Sequence, residues 1–133
     1  MSKKILIVSS NFYSDISNSL EKGVIKTLNE KNLKYEIKNV PGCFEVPFII
    51  KKNIKKYDGF IALGCIIKGD TYHFEVIANE TSRKIMDLAV DFEVPIGFGI
   101  LTCYNLDQAI LRSDINKQNK GREAALACAN LLK

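Results

Sequence analysis

Gly59-Phe-Ile-Ala-Leu-Gly-Cys-Ile-Ile-Lys-Gly-Asp-Thr-Tyr-His73 carries the chain from one hydrophobic period to another. Phe60-Ile-Ala-Leu63 is a short apolar run of the kind a buried strand uses, Gly64 to His73 reads as a joining loop, and Tyr72 to Val90 reads as a helix. Within the loop, Lys68-Gly-Asp-Thr71 is turn and capping chemistry, and His73 is the only histidine in the sequence. The first turn of the following helix has backbone N–H groups without intrahelical partners, and these favour an anion. A phosphate-binding turn and a proton-transfer group would then share one loop. The same residues also fit an ordinary glycine turn beside a surface histidine, and the loop alone does not separate the two readings.

The same strand, loop and helix unit recurs on both sides of this stretch. Ile5-Leu-Ile-Val8 is a β-rich run ending at Ser9-Ser10-Asn11, after which Ile16, Leu20, Val24 and Leu28 mark one helix face with Ser14 or Asp15 as its cap. Lys34 to Val40 alternates weakly and stops at Pro41-Gly42, and Val46 to Lys56 reads as a helix with Pro47 in its first turn. Val94 to Leu101 supplies a fourth strand. Asn105 can cap the next helix and Gln108 can complete a capping box. That helix runs to about Arg112, a polar break covers Ser113 to Asn119, and a last helix covers Lys120 to Leu132. Alternation with short joints calls for a parallel sheet covered by helices on both faces. The expected fold is a single α/β domain over residues 1–133, a three-layer αβα sandwich with four parallel strands in the flavodoxin-like order 2-1-3-4. Such sheets bind ligands beyond the carboxyl ends of their strands, where the order reverses. Four loops qualify: Ser9 to Ser14, Pro41 to Glu45, Gly64 to His73, and Thr102 to Asn105.

The chain has 133 residues, 47% of them hydrophobic, enough for the core of one ordinary domain. No apolar run approaches the roughly 18 residues of a membrane span, and Met1 to Ile5 leads straight into a strand pattern; a soluble cytoplasmic protein is expected. The net charge of +4 comes from scattered lysines, densest at Lys51-Lys52 and Lys55-Lys56 on one helix. No basic stripe interleaved with aromatics marks a nucleic-acid surface, although a modest positive field attracts small anions. Cys43, Cys65, Cys103 and Cys128 form no C-x-x-C pair and have one histidine to join them, which argues against structural zinc. Their apolar contexts are those of buried thiols, and neither disulfides nor a catalytic cysteine is expected.

The loops hold an uncommon inventory. Phe12 and Phe44 are aromatics that either stack on a flat ligand or fold back onto the core. Glu45 either binds a ligand or complements a helix dipole. Arg112, at a helix C-terminus, is ordinary dipole compensation taken alone. Lys120, at a helix N-terminus, is unfavourable unless an anion offsets it, which makes it a functional candidate. Nothing in the periodicity brings Arg112 or Lys120 to His73 within one chain.

Taken together, Val40-Pro-Gly-Cys-Phe-Glu-Val-Pro47, Ala62-Leu-Gly-Cys-Ile-Ile-Lys-Gly-Asp-Thr-Tyr-His-Phe-Glu75, Phe98-Gly-Ile-Leu-Thr102 with Gln108-Ala109 and Arg112, and Asn119-Lys-Gly-Arg-Glu-Ala-Ala125 resemble the successive signatures of the lumazine synthases. The resemblance covers nearly the whole chain, in order. It implies condensation of 5-amino-6-ribitylaminouracil with 3,4-dihydroxy-2-butanone 4-phosphate to 6,7-dimethyl-8-ribityllumazine, the penultimate step of riboflavin biosynthesis, with no metal or organic cofactor. It implies that His73 transfers protons, that Gly69, Asp70 and Thr71 form the phosphate turn, and that Arg112 grips the phosphate with help from Lys120. Glu45 would accept from the ribityl hydroxyls and Phe12 would stack on the pyrimidine. It further implies a homopentamer with sites at subunit interfaces, to which the neighbour contributes Phe98, Arg112 and Lys120.

Two departures stand out. Asn11-Phe12-Tyr13 occupies the place of the family's common Arg-Phe-Asn, and the chain starts almost at its first strand, so that pentamer contacts would rest on helices and loops. The short segment between Arg112 and Lys120 is compatible with a sixty-subunit shell, while the short N-terminus favours a pentamer, with the shell and paired pentamers as the alternatives. The rival readings are an archaeal-type riboflavin synthase and a non-catalytic flavin or lumazine carrier or shell protein.

Overall fold

A computed structural model describes residues 3–132. Strands β1 (Lys4–Ser10), β2 (Lys34–Val40), β3 (Gly59–Ile67) and β4 (Ile96–Cys103) form one parallel sheet in the expected order, β2-β1-β3-β4. Helices α1 (Ser14–Glu30), α2 (Val46–Lys52), α3 (His73–Asp91), α4 (Leu106–Ser113) and α5 (Lys120–Leu131) alternate with them, and a 3₁₀ turn at Cys43–Glu45 leads into α2.

Side-chain alternation in the two central strands builds both cores. Ile5, Ile7, Ile61 and Leu63 face Leu20, Val24 and Leu28 of α1 and Ala124, Ala125 and Cys128 of α5. Leu6, Val8, Phe60 and Ala62 face Val46 and Ile50 of α2 and Ile85 and Leu88 of α3. Strands buried on both sides read as continuous apolar runs, as β1 and β3 do. Edge strand β2 is exposed over most of its length and alternates only weakly for that reason. Two glycines set the close approach of α5. A Cβ at Gly97 would lie 2.0 Å from the Ala124 carbonyl oxygen, and one at Gly121 would lie 2.2 Å from that of Leu20.

Several boundaries differ from the sequence reading. Gly64 does not open a loop: it pairs with Ile100 inside β3, and the strand continues to Ile67, opposite Cys103. The glycine is there because a Cβ would lie 2.6 Å from the Cys43 sulfur. β4 starts at Ile96, after Glu93 takes a left-handed φ of 49° and the Pro95 carbonyl accepts from the Phe60 N–H at 2.9 Å. α2 stops at Lys52, where the Asn53 side chain donates to the Ile49 carbonyl at 2.8 Å, so the four lysines divide between the helix end and the turn after it. α1 has Tyr13 as its N-cap and no side-chain capping bond; Ser14 and Asp15 lie inside the helix. Asn105 caps α4 as expected, accepting from the Gln108 N–H at 2.9 Å, while the Gln108 side chain accepts from Tyr104 N–H at 2.8 Å and not from the cap residue.

Candidate active site

At the carboxyl ends of β1, β2 and β3, where the strand order reverses, the loops enclose a cavity of about 360 Å³. Phe12 and Tyr13 after β1, Gly42 to Phe44 after β2, and Ile66, Ile67 and His73 around the end of β3 line it. Phe12 is 72% exposed and Phe44 66%, so neither ring folds back onto the core. Phe12 meets Tyr13 edge to face with centroids 5.0 Å apart. The cavity therefore offers apolar aromatic surface to a flat ligand, with an imidazole at its mouth. Glu45 lies next to this lining: it ends the 3₁₀ turn, is partly buried, and directs one carboxylate oxygen toward Gly42.

Gly69, Asp70 and Thr71 form an exposed rim between β3 and α3. Among the described residues, the backbone N–H groups of 69–72 have no hydrogen-bond acceptor, and the next one, of His73, reaches only the Thr71 hydroxyl at 3.4 Å. Gly69 has negative φ and open space around its missing Cβ, so the folding of one chain does not require glycine there. His73 is the first residue of the 19-residue helix α3 and is exposed. Free, exposed N–H groups at the start of a long helix can donate hydrogen bonds to an anion's oxygens.

Phe98, Arg112 and Lys120 do not join this cavity. They line a separate groove of about 500 Å³ along β4, the free edge of the sheet, with Thr102 and Glu123. Arg112 is in the last turn of α4 and donates to the Gln108 carbonyl at 3.4 Å. Lys120 has an internal counter-charge that the sequence reading did not count: Glu123, one turn on, lies 3.2 Å from its ammonium. Its place at a helix N-terminus is thus offset within the chain, which removes the physical argument that singled it out.

All four cysteines are buried and free. Burial pushes the Cys43 thiol up to about 11 and those of Cys65 and Cys128 up to about 12, so each is a neutral thiol near pH 7 and a poor nucleophile. Among the described residues, no three His, Cys, Asp or Glu side chains gather as metal ligands, and no helix is long and apolar enough to cross a membrane.

A family model described as 6,7-dimethyl-8-ribityllumazine synthase matches residues 2–133. The chain belongs to the 6,7-dimethyl-8-ribityllumazine synthase family. Proteins of that name from Bartonella henselae, Agrobacterium fabrum and Novosphingobium aromaticivorans are 46%, 41% and 42% identical to it. The matches span 92%, 96% and 97% of this chain and 82%, 91% and 94% of those proteins.

Sequence reasoning missed part of the lining that this lumazine synthase family member presents. Cys65, Ile66 and Ile67 were hidden by reading Gly64 as the end of the strand. Ile77 follows His73 by one helical turn and was recoverable from the i, i+4 rule. Tyr13 was visible as a second aromatic beside Phe12. Glu123, three residues after Lys120 in a helix already read from the sequence, was recoverable from the same spacing rule, whereas Lys68, whose ammonium lies 2.8 Å from Glu75, carried no signal because a loop separates the two.

Proposed function

We propose that this chain is a 6,7-dimethyl-8-ribityllumazine synthase that works as a homopentamer with its sites between neighbouring subunits. The observation that carries the reading is the division of the site residues over two separate surfaces of one chain. Phe12, Phe44 and His73 line an aromatic cavity beside a rim of free N–H groups, and the cations Arg112 and Lys120 line the open sheet edge with Phe98. A phosphorylated substrate needs both, and two chains placed side by side supply them. Two exposed apolar patches support such a ring: Phe48, Met86, Val90 and Phe92 at α2 and α3, and Phe98, Leu106, Ile110 and Leu111 at β4 and α4. Different patches on one subunit favour head-to-tail contacts, which close into a ring when the rotation allows.

In this reading the pyrimidine stacks on Phe12, with Phe44 beside it, and Glu45 accepts hydrogen bonds from the ribityl hydroxyls. The phosphate sits on the N–H groups of Gly69, Asp70 and Thr71, with the Thr71 hydroxyl as a further donor, and the neighbour's Arg112 and Lys120 close over it. The pyrimidine amine attacks the ketone and water leaves to give an imine. Loss of a proton beside the imine then expels phosphate, and ring closure by the second amine releases another water. His73 moves the protons in these steps, from a position near both the flat-ligand cavity and the anion rim. Holding the phosphate at a fixed distance from the stacked ring supplies the orientation on which such a condensation depends.

Incubation with the ribitylaminouracil and the butanone phosphate should give a fluorescent lumazine that accumulates. No product from the two together would refute the assignment. Consumption of the lumazine to riboflavin would establish the rival synthase. Light scattering or native mass measurement should find five chain masses or a multiple of five.

A further inference from the structure

Lys68 is the basic side chain nearest in sequence to the phosphate rim, and its charge alone suggests a phosphate ligand. Its contacts indicate another role. The Lys68 N–H donates to the Cys103 carbonyl of β4 at 2.9 Å, which fixes the backbone where β3 ends. Its ammonium crosses the rim to Glu75 in the first turn of α3, with a separation of 2.8 Å, and lies 5.6 Å from the centre of the Phe74 ring. Phe74 is in turn packed at 6.2 Å against Tyr104, beyond the end of β4. The segment 69–72 is therefore bridged at both ends by one ion pair, while its own N–H groups have no acceptor among the described residues.

A half-exposed ion pair contributes little to global stability. Its effect here is local, since a loop with no internal backbone bonds depends on whatever fixes its ends. The Glu75 charge also suits a helix N-terminus but opposes an anion bound at the same place, and Lys68 cancels it. The second Glu75 oxygen, Oε1, is buried with no donor among the described residues, so the pair is the anchor of that carboxylate.

We propose that Lys68 and Glu75 form a strut across residues 69–72 that holds the free N–H groups in place for the substrate phosphate, and that Lys68 is a positioning residue and not a phosphate ligand. The inference rests on the proposed phosphate seat. Lys68→Met, Glu75→Ala and the double variant distinguish the two roles, with kinetics on both substrates and calorimetric titration of inorganic phosphate. The strut predicts that each single change raises KM for the butanone phosphate about three- to tenfold and weakens inorganic phosphate to match, with the pyrimidine KM within about twofold of wild type. The double variant should be no worse than the weaker single, and Lys68→Arg should restore wild-type KM. A direct ligand would behave differently: Glu75→Ala would leave KM unchanged or lower it by freeing the ammonium, and that result overturns the proposal. Additive effects, or equal losses for both substrates, also overturn it. Phosphate titration does not depend on turnover, so a wild-type chain that binds phosphate in this pattern without making product would refute the proposed function and leave the strut standing.

Discussion

His73 opens α3 with its imidazole at the mouth of the aromatic cavity, close to where both substrates would meet. Replacing it with alanine should lower kcat by roughly 10²- to 10⁴-fold, the usual contribution of a placed acid-base group, while fluorescence titration of the lumazine product stays near wild type. Unchanged turnover would remove His73 from the chemistry. Arg112→Ala should raise KM for the butanone phosphate far more than for the pyrimidine, and equal losses would point to assembly instead. Both residues stood out in the sequence through motif context, and the same resemblance implied that Arg112 reaches the site from a neighbouring chain. Periodicity could not bring Arg112 to His73 in one chain, and the structure puts them on different surfaces. Lys120 shows the limit of an electrostatic argument that counts one residue, because Glu123 stands three residues on in a helix already legible in the sequence, where the two charges pair.

All four strands and all five helices were recognisable in the sequence, because a strand buried on both faces and a helix with one apolar stripe leave distinct patterns, although the fourth strand begins and ends two residues later than its apolar run suggested. Errors fell where glycine and asparagine do something other than end an element. Gly64 lets β3 pass close to Cys43 and is not a breaker, and Asn53 stops α2 through a bond to the Ile49 carbonyl. The close docking of α5 was not legible, since it depends on Gly97 and Gly121 meeting backbone from elsewhere in the chain. Gly121→Ala should cost about 1–3 kcal/mol in denaturant titration, as α1 and α5 are pushed apart. Asn105→Ala should cost about 1 kcal/mol through loss of the α4 cap. A neutral result at Gly121 would mean that α1 yields without strain.

The whole fold keeps its thiols neutral, which gives it a pH signature. The Cys43 and Cys128 thiols, ordinarily near 9.0, are held up at about 11 and about 12 by burial, so the folded chain retains protons that the unfolded chain releases. The stability this represents is full below pH 9 and is lost as pH rises toward 11 and beyond, with each thiol adding up to about 1.4 kcal/mol per pH unit to the fall. Melting temperature should thus drop more steeply above pH 9 in wild type than in Cys128→Ala, and parallel slopes would contradict the burial account. The architecture also explains why a single chain has so little enclosed active site. Arg112 and Lys120 lie along the open edge of β4 and the aromatic cavity lies at the carboxyl ends of β1, β2 and β3, and in the proposed pentamer a neighbour brings the two together. Mixing His73→Ala chains, slow in kcat, with Arg112→Ala chains, weak for the butanone phosphate, tests this directly when that substrate is held well below the KM of Arg112→Ala, so that both parents turn over slowly. Random co-assembly should restore roughly a quarter of wild-type turnover, because that share of interfaces pairs an intact histidine side with an intact arginine side. Mixed assemblies with no turnover above either parent would contradict a shared site.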